Sequence, residues 1–454
     1  MGLTKEIGEF VAGVRFERLP PDCVKTVCLG FTDCIAVMLP GWSEPVSRAA
    51  ARGLGRDIAE RPNKPLLGIS APAPDRAMIY AIAAHALDYD DTGLLGHPSA
   101  ILVSAILAEG NEVGADGKAM IAAYVAGYEV WAELIRRDRN QHHEKGWHPT
   151  AMFGALAAAA ASASLRGFNA ERASQAVAMA ASLAGGVVAN FGSMTKPLQV
   201  GRAAQAGLIA TRMVEAGLTA SMDAIEHDVG FLRAISPKGA VDTTSEAALG
   251  RDWAILRHGL NVKLYPVCYA VHRALDAVLD LQKTARISPD DIQSVAVELG
   301  ETQTKILRVH QPTSALDAKI CGEFAISAAI IAGRCSPAEL TDAFVHRRDV
   351  QDFLPKVHIA PLADKDPDEP AHSPFDRVTL LLREGREVAS EPVFKPRGHF
   401  TRGVEPERLW QKFSECTGDS IGASDAKALF DVLQDLPGVP SVTALGLLPA
   451  SAVN

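Results

Sequence analysis

The sequence predicts a mainly α protein, with a large all-helical domain and a smaller α+β domain. Three observations carry this. Apolar residues recur every three or four positions over the first two-thirds of the 454 residues. Ala and Gly fill many of the same positions, which lets helices pack closely. After about Lys263 the period changes, and SVAVEL (Ser294 to Leu299) and RVTLLL (Arg377 to Leu382) alternate as half-buried strands do.

The elements follow in order. Pro20-Pro21-Asp22 opens a helix with apolar residues at Val24, Val27, Cys28, Phe31, Cys34, Ile35 and Met38, and Leu39-Pro40-Gly41 is expected to stop it. Asp75 to Leu87, Ser99 to Leu107, Ala119 to Ile135, Thr150 to Leu165 and Asn169 to Leu183 continue the pattern, and Gly201 to Gly217 adds one more helix. In the smaller domain a helix from Ala270 to Thr284 precedes the SVAVEL strand, Phe324 to Ala332 is helical, and RVTLLL turns through Arg383-Glu384-Gly385-Arg386 into a hairpin. DPDEP (Asp366 to Pro370) reads as an exposed loop. PERLWQKFSECTG and SDAKALFDVLQDL return to helix. The expected division is residues 1–262 as the helical domain, 263–395 as the α+β domain, and 396–454 as helices rejoining the first.

Hydrophobic residues make up 48% and charged residues 22%, the balance of a globular protein. A net charge of −9 argues against a nucleic-acid partner, which needs a basic face, but not against a small anion held by a few focused lysines. The first twenty residues interrupt any apolar run with Lys5, Glu6, Glu9 and Arg15, and Ala155 to Leu165 is too short to span a bilayer. A cytoplasmic protein without membrane association is therefore expected. The seven cysteines lack CxxC spacing and read as small buried residues. With no GxGxxG, GxxxxGK[ST], HExxH or GxSxG signature, neither a nucleotide nor an organic cofactor is expected, and no metal.

Five polar patches interrupt the apolar background: HALDYDDT (His85 to Thr92), GHPSA (Gly96 to Ala100), GWHPT (Gly146 to Thr150), TKPLQVGRAAQAG (Thr195 to Gly207) and VKLYPVCYAVH (Val262 to His272). Together they hold the carboxylates, imidazoles and lysines needed to bind a polycarboxylate and move its protons. Asp88 and Thr92 share a face if the preceding helix continues that far, with Asp91 beside Asp88. A carboxylate there can orient a hydroxyl, position a histidine or act as a base. It fits a solvated acidic turn equally well, and His85, Asp88, Asp90 and Asp91 are close enough in sequence to suggest magnesium. His97 and His148 each precede a proline, which places them at loops or helix starts; at a helix start anions are favoured and a group titrating near neutrality can transfer protons, while a capping or core histidine fits the same position. Lys196 and Lys263 are isolated basic residues in apolar surroundings, so each needs an anionic partner.

In order and content these patches resemble the MmgE/PrpD family, most strongly in LDYDDT, GHPSA, GWHPT with its following FGAL, and TKPLQVGRAAQAG. The resemblance covers most of the chain. It implies a helical domain, a smaller α+β lid and a homodimer. It also implies Asp88, His97 and His148 as catalytic residues, and Thr92, Lys196, Lys263 and Tyr265 as substrate-binding residues. The implied reaction removes a proton α to a carboxylate. Dehydration of a 2-methylcitrate-like acid is the first expectation, with iminodisuccinate-type epimerisation or cis-aconitate-type decarboxylation beside it. Departures from the family pattern are Phe324 at the place of a tyrosine, His227 at the place of a glycine and Gln199 where a histidine is frequent. A magnesium-dependent helical enzyme using the acidic patch and a non-catalytic carboxylate-binding scaffold are the competing classes.

Overall fold

The computed structural model describes residues 2–58, 67–138, 142–285, 287–367, 369, 371–418 and 420–448. It divides into two compact units, residues 1–262 with 405–454, and residues 263–404.

The first unit is helical. Its elements are α1 (Leu3–Gly13), α2 (Pro21–Trp42), α3 (Pro45–Gly53), α4 (Ala73–His85), α5 (Pro98–Val113), α6 (Gly117–Arg136), α7 (Pro149–Leu165), α8 (Ala170–Leu183), α9 (Thr195–Glu215), α10 (Phe231–Ile235) and α11 (Ala254–His258). Local chemistry sets several starts. The side chains of Asp116 and Asn169 cap α6 and α8 by accepting from Ala119 N and Arg172 N. Pro98 and Pro149 occupy the first positions of α5 and α7, as their fixed φ favours.

The centre of this unit is α7, which packs against α5, α6, α8 and α9. Ala151 to Ala163 are all buried, so the helix is apolar on every side, as a core helix must be. Its small side chains bring neighbours close: a Cβ on Gly207 of α9 would lie 2.5 Å from the backbone nitrogen of Ala159.

Three expectations need correction here. α2 runs through Pro40 to Trp42 rather than stopping at Leu39-Pro40-Gly41. A proline so near the end removes only one helical hydrogen bond, and the buried Trp42 ring packs against Tyr80 at 6.1 Å between centroids. α9 begins at Thr195, not Gly201, so Lys196 and Pro197 lie in its first turn, where a proline is tolerated. α4 ends at His85, so Asp88 and Thr92 share no helical face.

The second unit is α+β. It contains α12 (His272–Ala285), β1 (Ile292–Gly300), α13 (Glu301–Ile306), α14 (Ala315–Ala318), α15 (Gly322–Ala332), α16 (Asp342–Val345), α17 (Arg348–Phe353), β2 (Val357–Leu362), β3 (Arg377–Leu382) and β4 (Glu387–Ala389). Among the described residues the strands form one sheet in the order β2-β1-β3-β4. β1 runs parallel to β2 and antiparallel to β3, with Val297 opposite both Ile359 and Val378. β3 and β4 form the expected hairpin. β2 was not legible: VHIAPL has no clean alternation and contains Pro361, which the outer position of this strand tolerates. Val295, Val297, Leu299, Val378, Leu380 and Leu382 supply the buried side chains of the sheet, against which α12 packs.

The loop at Asp366 is also corrected. Asp366 is buried and accepts from Glu369 N and Lys395 Nζ, while the Glu369 carboxylate accepts from His399 and pairs with Lys395. These contacts draw Asp366 inward, while Pro367 is exposed as expected and Glu369 is half-buried; Asp368 and Pro370 lie outside the described residues. None of the seven cysteines is in a disulfide, and all but Cys268 are buried, as expected of small apolar side chains.

After the second unit the chain re-enters the first through α18 (Pro406–Thr417) and α19 (Ala423–Gln434), both packed on α2. Among the described residues α2 alone is long and apolar enough to cross a membrane. Most of its length is buried, and it carries Asp33, which accepts from Lys412 Nζ of α18 at 2.6 Å. The Lys412 side chain is 2% exposed and that of Asp33 is fully buried. Removing one partner of such a pair leaves an uncompensated buried charge. Lys412→Met is expected to lower unfolding stability by about 3–5 kcal/mol. The double variant Asp33→Asn/Lys412→Met should recover part of the loss, both being read by urea denaturation.

Candidate active site

The polar centre of the first unit is the segment joining α4 to α5. Among the described residues, the non-glycine residues with positive φ are Asp88 (50°), Leu94 (49°) and Leu95 (59°), all in this segment. Left-handed backbone at ordinary residues costs free energy and persists only where the surroundings over-determine it. Here they do. Thr92 and Asn261 exchange both backbone hydrogen bonds, at 2.9 and 2.8 Å, as do Gly93 and Gly96, both at 2.9 Å. Leu94 O accepts from Trp131 Nε1, and Tyr89 O accepts from Lys412 Nζ at 2.8 Å.

Within this clamped segment Asp90 is the hub. Its carboxylate accepts from His85 Nδ1 at 3.0 Å and lies 3.1 Å from His97 Nδ1, which also donates to Asp91 O at 3.0 Å. Carboxylate and carbonyl oxygens only accept, so both Nδ1 atoms carry protons. Burial alone would raise the Asp90 carboxyl, but the two imidazoles outweigh it and hold it well below the usual carboxylate range. His85 is pushed down to about 4, chiefly by burial, against the pull of Asp90. The Asp91 carboxyl goes the other way, raised by burial and by the nearby Asp33 charge.

Asp88 faces Lys196 and His97. Its Oδ1 lies 3.0 Å from Lys196 Nζ and 3.9 Å from His97 Nε2. A lysine in the first turn of a helix opposes the helix dipole, and the Asp88 carboxylate offsets that. The side chains of Asp88, His97 and Lys196 keep 8%, 12% and 13% exposure, whereas those of His85 and Asp90 keep none. The first three can therefore touch a small molecule; the other two act through them.

His148 precedes Pro149 at the start of α7, as His97 precedes Pro98 at the start of α5, and neither imidazole caps its helix. His148 Nδ1 lies 2.7 Å from Gln199 Oε1. Its ring packs edge-on against Phe191 at 4.8 Å, and Lys196 Nζ sits 5.4 Å over the same Phe191 ring. Burial, then the Lys196 ammonium, drive its pKa well below the ordinary value, so His148 is neutral. His143, pushed down to about 4 mainly by burial, is within electrostatic reach of Lys196 and His97.

The structure thus brings Asp88, His97, Lys196 and His148 together around Phe191 and the 88–97 segment. The Thr92 hydroxyl is committed to Gly96 O at 2.9 Å, a structural bond. Lys263 and Tyr265 belong to the second unit. Lys263 is buried there, and Tyr265 donates its hydroxyl to Asp276 at 2.6 Å, with burial and that carboxylate pushing the phenol up. Phe324 is fully buried in the core of the second unit beside Phe344, so the position is an apolar packing site. His227 is exposed and hydrogen-bonds locally to Val229 N. Sequence reasoning missed Phe191 and His143, and it saw His85 and Asp90 only as possible metal ligands. His85, Asp88, Asp90 and His97 do offer one ligand atom each within 4.8 Å of one another. However, Asp90 already accepts from His85 Nδ1 and lies beside the Nδ1 proton of His97, and the Lys196 ammonium provides a cation at Asp88.

Fold and site together define an acid–base site of imidazoles, carboxylates and a lysine on a helical scaffold. The MmgE/PrpD N-terminal domain matches residues 5–244 and the MmgE/PrpD C-terminal domain residues 265–436. The chain belongs to the MmgE/PrpD family. Among curated proteins it is similar to the cis-aconitate decarboxylase of Homo sapiens, 22% identical over 84% of this chain and 80% of that protein. It is also similar to those of Mus musculus, 24% identical over 82% and 78%, and of Aspergillus terreus, 24% identical over 98% and 95%.

The His85 environment has a pH consequence. Its folded value of about 4 lies below the ordinary 6.5, so the unfolded chain binds that proton first as pH falls. The contribution is complete above pH 6.5 and is lost as pH drops toward 4. The stability difference between the native protein and His85→Asn should therefore grow from pH 4 to 6.5 and be flat above, as read by denaturant unfolding at several pH values.

Proposed function

We propose that this protein is a lyase that transfers a proton at the carbon α to a carboxylate of a small di- or tricarboxylic acid. The observation that carries the reading is the shared position of Asp88, Lys196 and His97 beside the neutral His148. Lys196 supplies the positive charge that anchors a substrate carboxylate and stabilises the enolate-like charge developing on it. A substrate carboxylate would compete with Asp88 for the same ammonium, leaving Asp88 to receive a hydrogen bond from a substrate hydroxyl or water. His148, uncharged and with Nδ1 turned to Gln199, is the base, acting through Nε2. His97, with Asp90 on Nδ1 and Asp88 facing Nε2, is the acid.

The same acid–base pair serves two outcomes. In dehydration His148 takes the α proton and His97 protonates the departing β-hydroxyl; in loss of CO2 no proton is removed, the electron pair of the broken C–CO2 bond becomes the new double bond, and an imidazolium protonates the far carbon of the old one. The names of the similar curated proteins favour loss of CO2 from a cis-aconitate-like acid. Dehydration of a 2-methylcitrate-like acid is the second reading, favoured by the presence of both a donor and an acceptor imidazole.

Proton NMR in D2O against 2-methylcitrate, citrate, cis-aconitate and iminodisuccinate stereoisomers tests the reading. Itaconate from cis-aconitate would mark decarboxylation, a new vinyl signal from a hydroxy acid would mark dehydration, and scrambled α-deuteration would mark epimerisation. Lys196→Met and His148→Asn should each slow the observed reaction by about 10²-fold or more while leaving the far-UV circular dichroism unchanged. Full activity in either variant would remove that residue from the chemistry.

A further inference from the structure

We propose that Gln199 is a positioning residue that holds His148 in the tautomer protonated on Nδ1, so that Nε2 is the atom offered to substrate. The inference rests on the proton-transfer reading for its catalytic consequence, but its structural content stands apart from that reading.

A chain of hydrogen bonds carries it. Val187 O lies 3.0 Å from Gln199 Nε2, and a carbonyl oxygen can only accept, so the amide NH2 must face it. The other amide atom, Oε1, is then fixed toward His148 Nδ1 at 2.7 Å. Two acceptors cannot share that contact, so Nδ1 carries the proton and Nε2 carries the lone pair. One backbone carbonyl thereby decides the amide orientation, and the amide decides the tautomer.

The backbone that presents Val187 O is tied to His148. His148 N donates to Gly186 O at 3.1 Å, Val188 N donates to Gly146 O at 2.9 Å, and Trp147 pairs with Val187. Gly186 permits the approach: a Cβ there would lie 2.6 Å from Ala151 Cβ and 3.1 Å from Gln199 Oε1.

The choice of an amide rather than a carboxylate separates the two histidines. His97 has an anionic partner, Asp90, on its Nδ1. His148 has a neutral one. The other titratable groups facing His148 are Lys196 on α9, His85 at the end of α4, and His97, and each disfavours a second proton on the imidazole, as burial does. Gln199 thus fixes the orientation of the ring without adding the negative charge that would stabilise an imidazolium. Environments that differ in this way set one imidazole as acid and the other as base.

The test uses the intact protein labelled with ¹⁵N. Histidine nitrogen–proton correlation spectra, with His148 assigned by loss of its signals in His148→Asn, should show a pyridine-like Nε2 and a protonated Nδ1 throughout pH 6–8. Gln199→Glu places a carboxylate on Nδ1 and should raise the His148 pKa by about one to three units. The acid limb of kcat/KM should move up by the same amount. Gln199→Met, which keeps the bulk but loses both hydrogen bonds, should mix the two tautomers and lower kcat by roughly tenfold or more with little change in KM. A protonated Nε2 in the native protein would overturn the proposal, as would a Gln199→Met variant with native tautomer and native pH profile. If the tautomer is as stated but no acid in the NMR panel reacts, the Gln199 assignment stands and the proton-transfer reading falls.

Discussion

The carboxylate of Asp90 receives the Nδ1 proton of His85 and faces that of His97, and the arrangement of the site follows from that one group. A buried anion with two imidazole donors is stable only if both rings stay in place. Their placement requires the short path from the end of α4 to the start of α5, with left-handed backbone at Asp88. The same path turns Asp88 toward Lys196 and leaves His97 Nε2 facing it. The strain of the path is held by the exchange with Asn261, by Trp131 and by Lys412, groups brought from three different parts of the first unit.

Behind this segment lies a second layer of buried charge. Lys412 spans Asp33 on α2 and the carbonyl of Tyr89, and its ammonium also sits 4.1 Å over the Tyr89 ring. The C-terminal helices are thus fastened to the back of the acidic segment, which gives their return to the first unit a role beyond packing. The Asp91 carboxyl, raised by burial and by Asp33, accepts from Ser99 N in the first turn of α5, which ties the segment to the start of that helix.

Much of this was legible in the sequence, and the misses have definite causes. The HP dipeptides announced helix starts because proline at the first helical position is a local constraint, and both histidines stand there. Helices α2, α4 to α9, α18 and α19 of the first unit were readable from their apolar period, whereas α1, α3, α10 and α11 were not, and the family was readable from the ordered motifs. α2 was expected to stop at Pro40 because the packing of Trp42 on Tyr80 has no local signature. β2 was missed because an edge strand need not alternate. Asp88 and Thr92 were tied by helical spacing, whereas the helix ends at His85 and the Thr92 hydroxyl serves Gly96. Gln199 looked like a departure from a family pattern, and its meaning appears only beside Val187 O and His148 Nδ1.

By itself the sequence determined what depends on near neighbours along the chain: which segments are helical, where prolines and capping residues start them, which patches carry acid–base groups, and the family. The tertiary structure alone decided which groups share a proton or a charge. Asp33 and Lys412 are 379 positions apart, and His148 and Gln199 are 51 apart. Periodicity and dihedral preference act over a few residues. The tautomer of an imidazole or the charge of a buried carboxylate is fixed by whatever atom lies within about 3 Å of it, and only the packed helices place that atom.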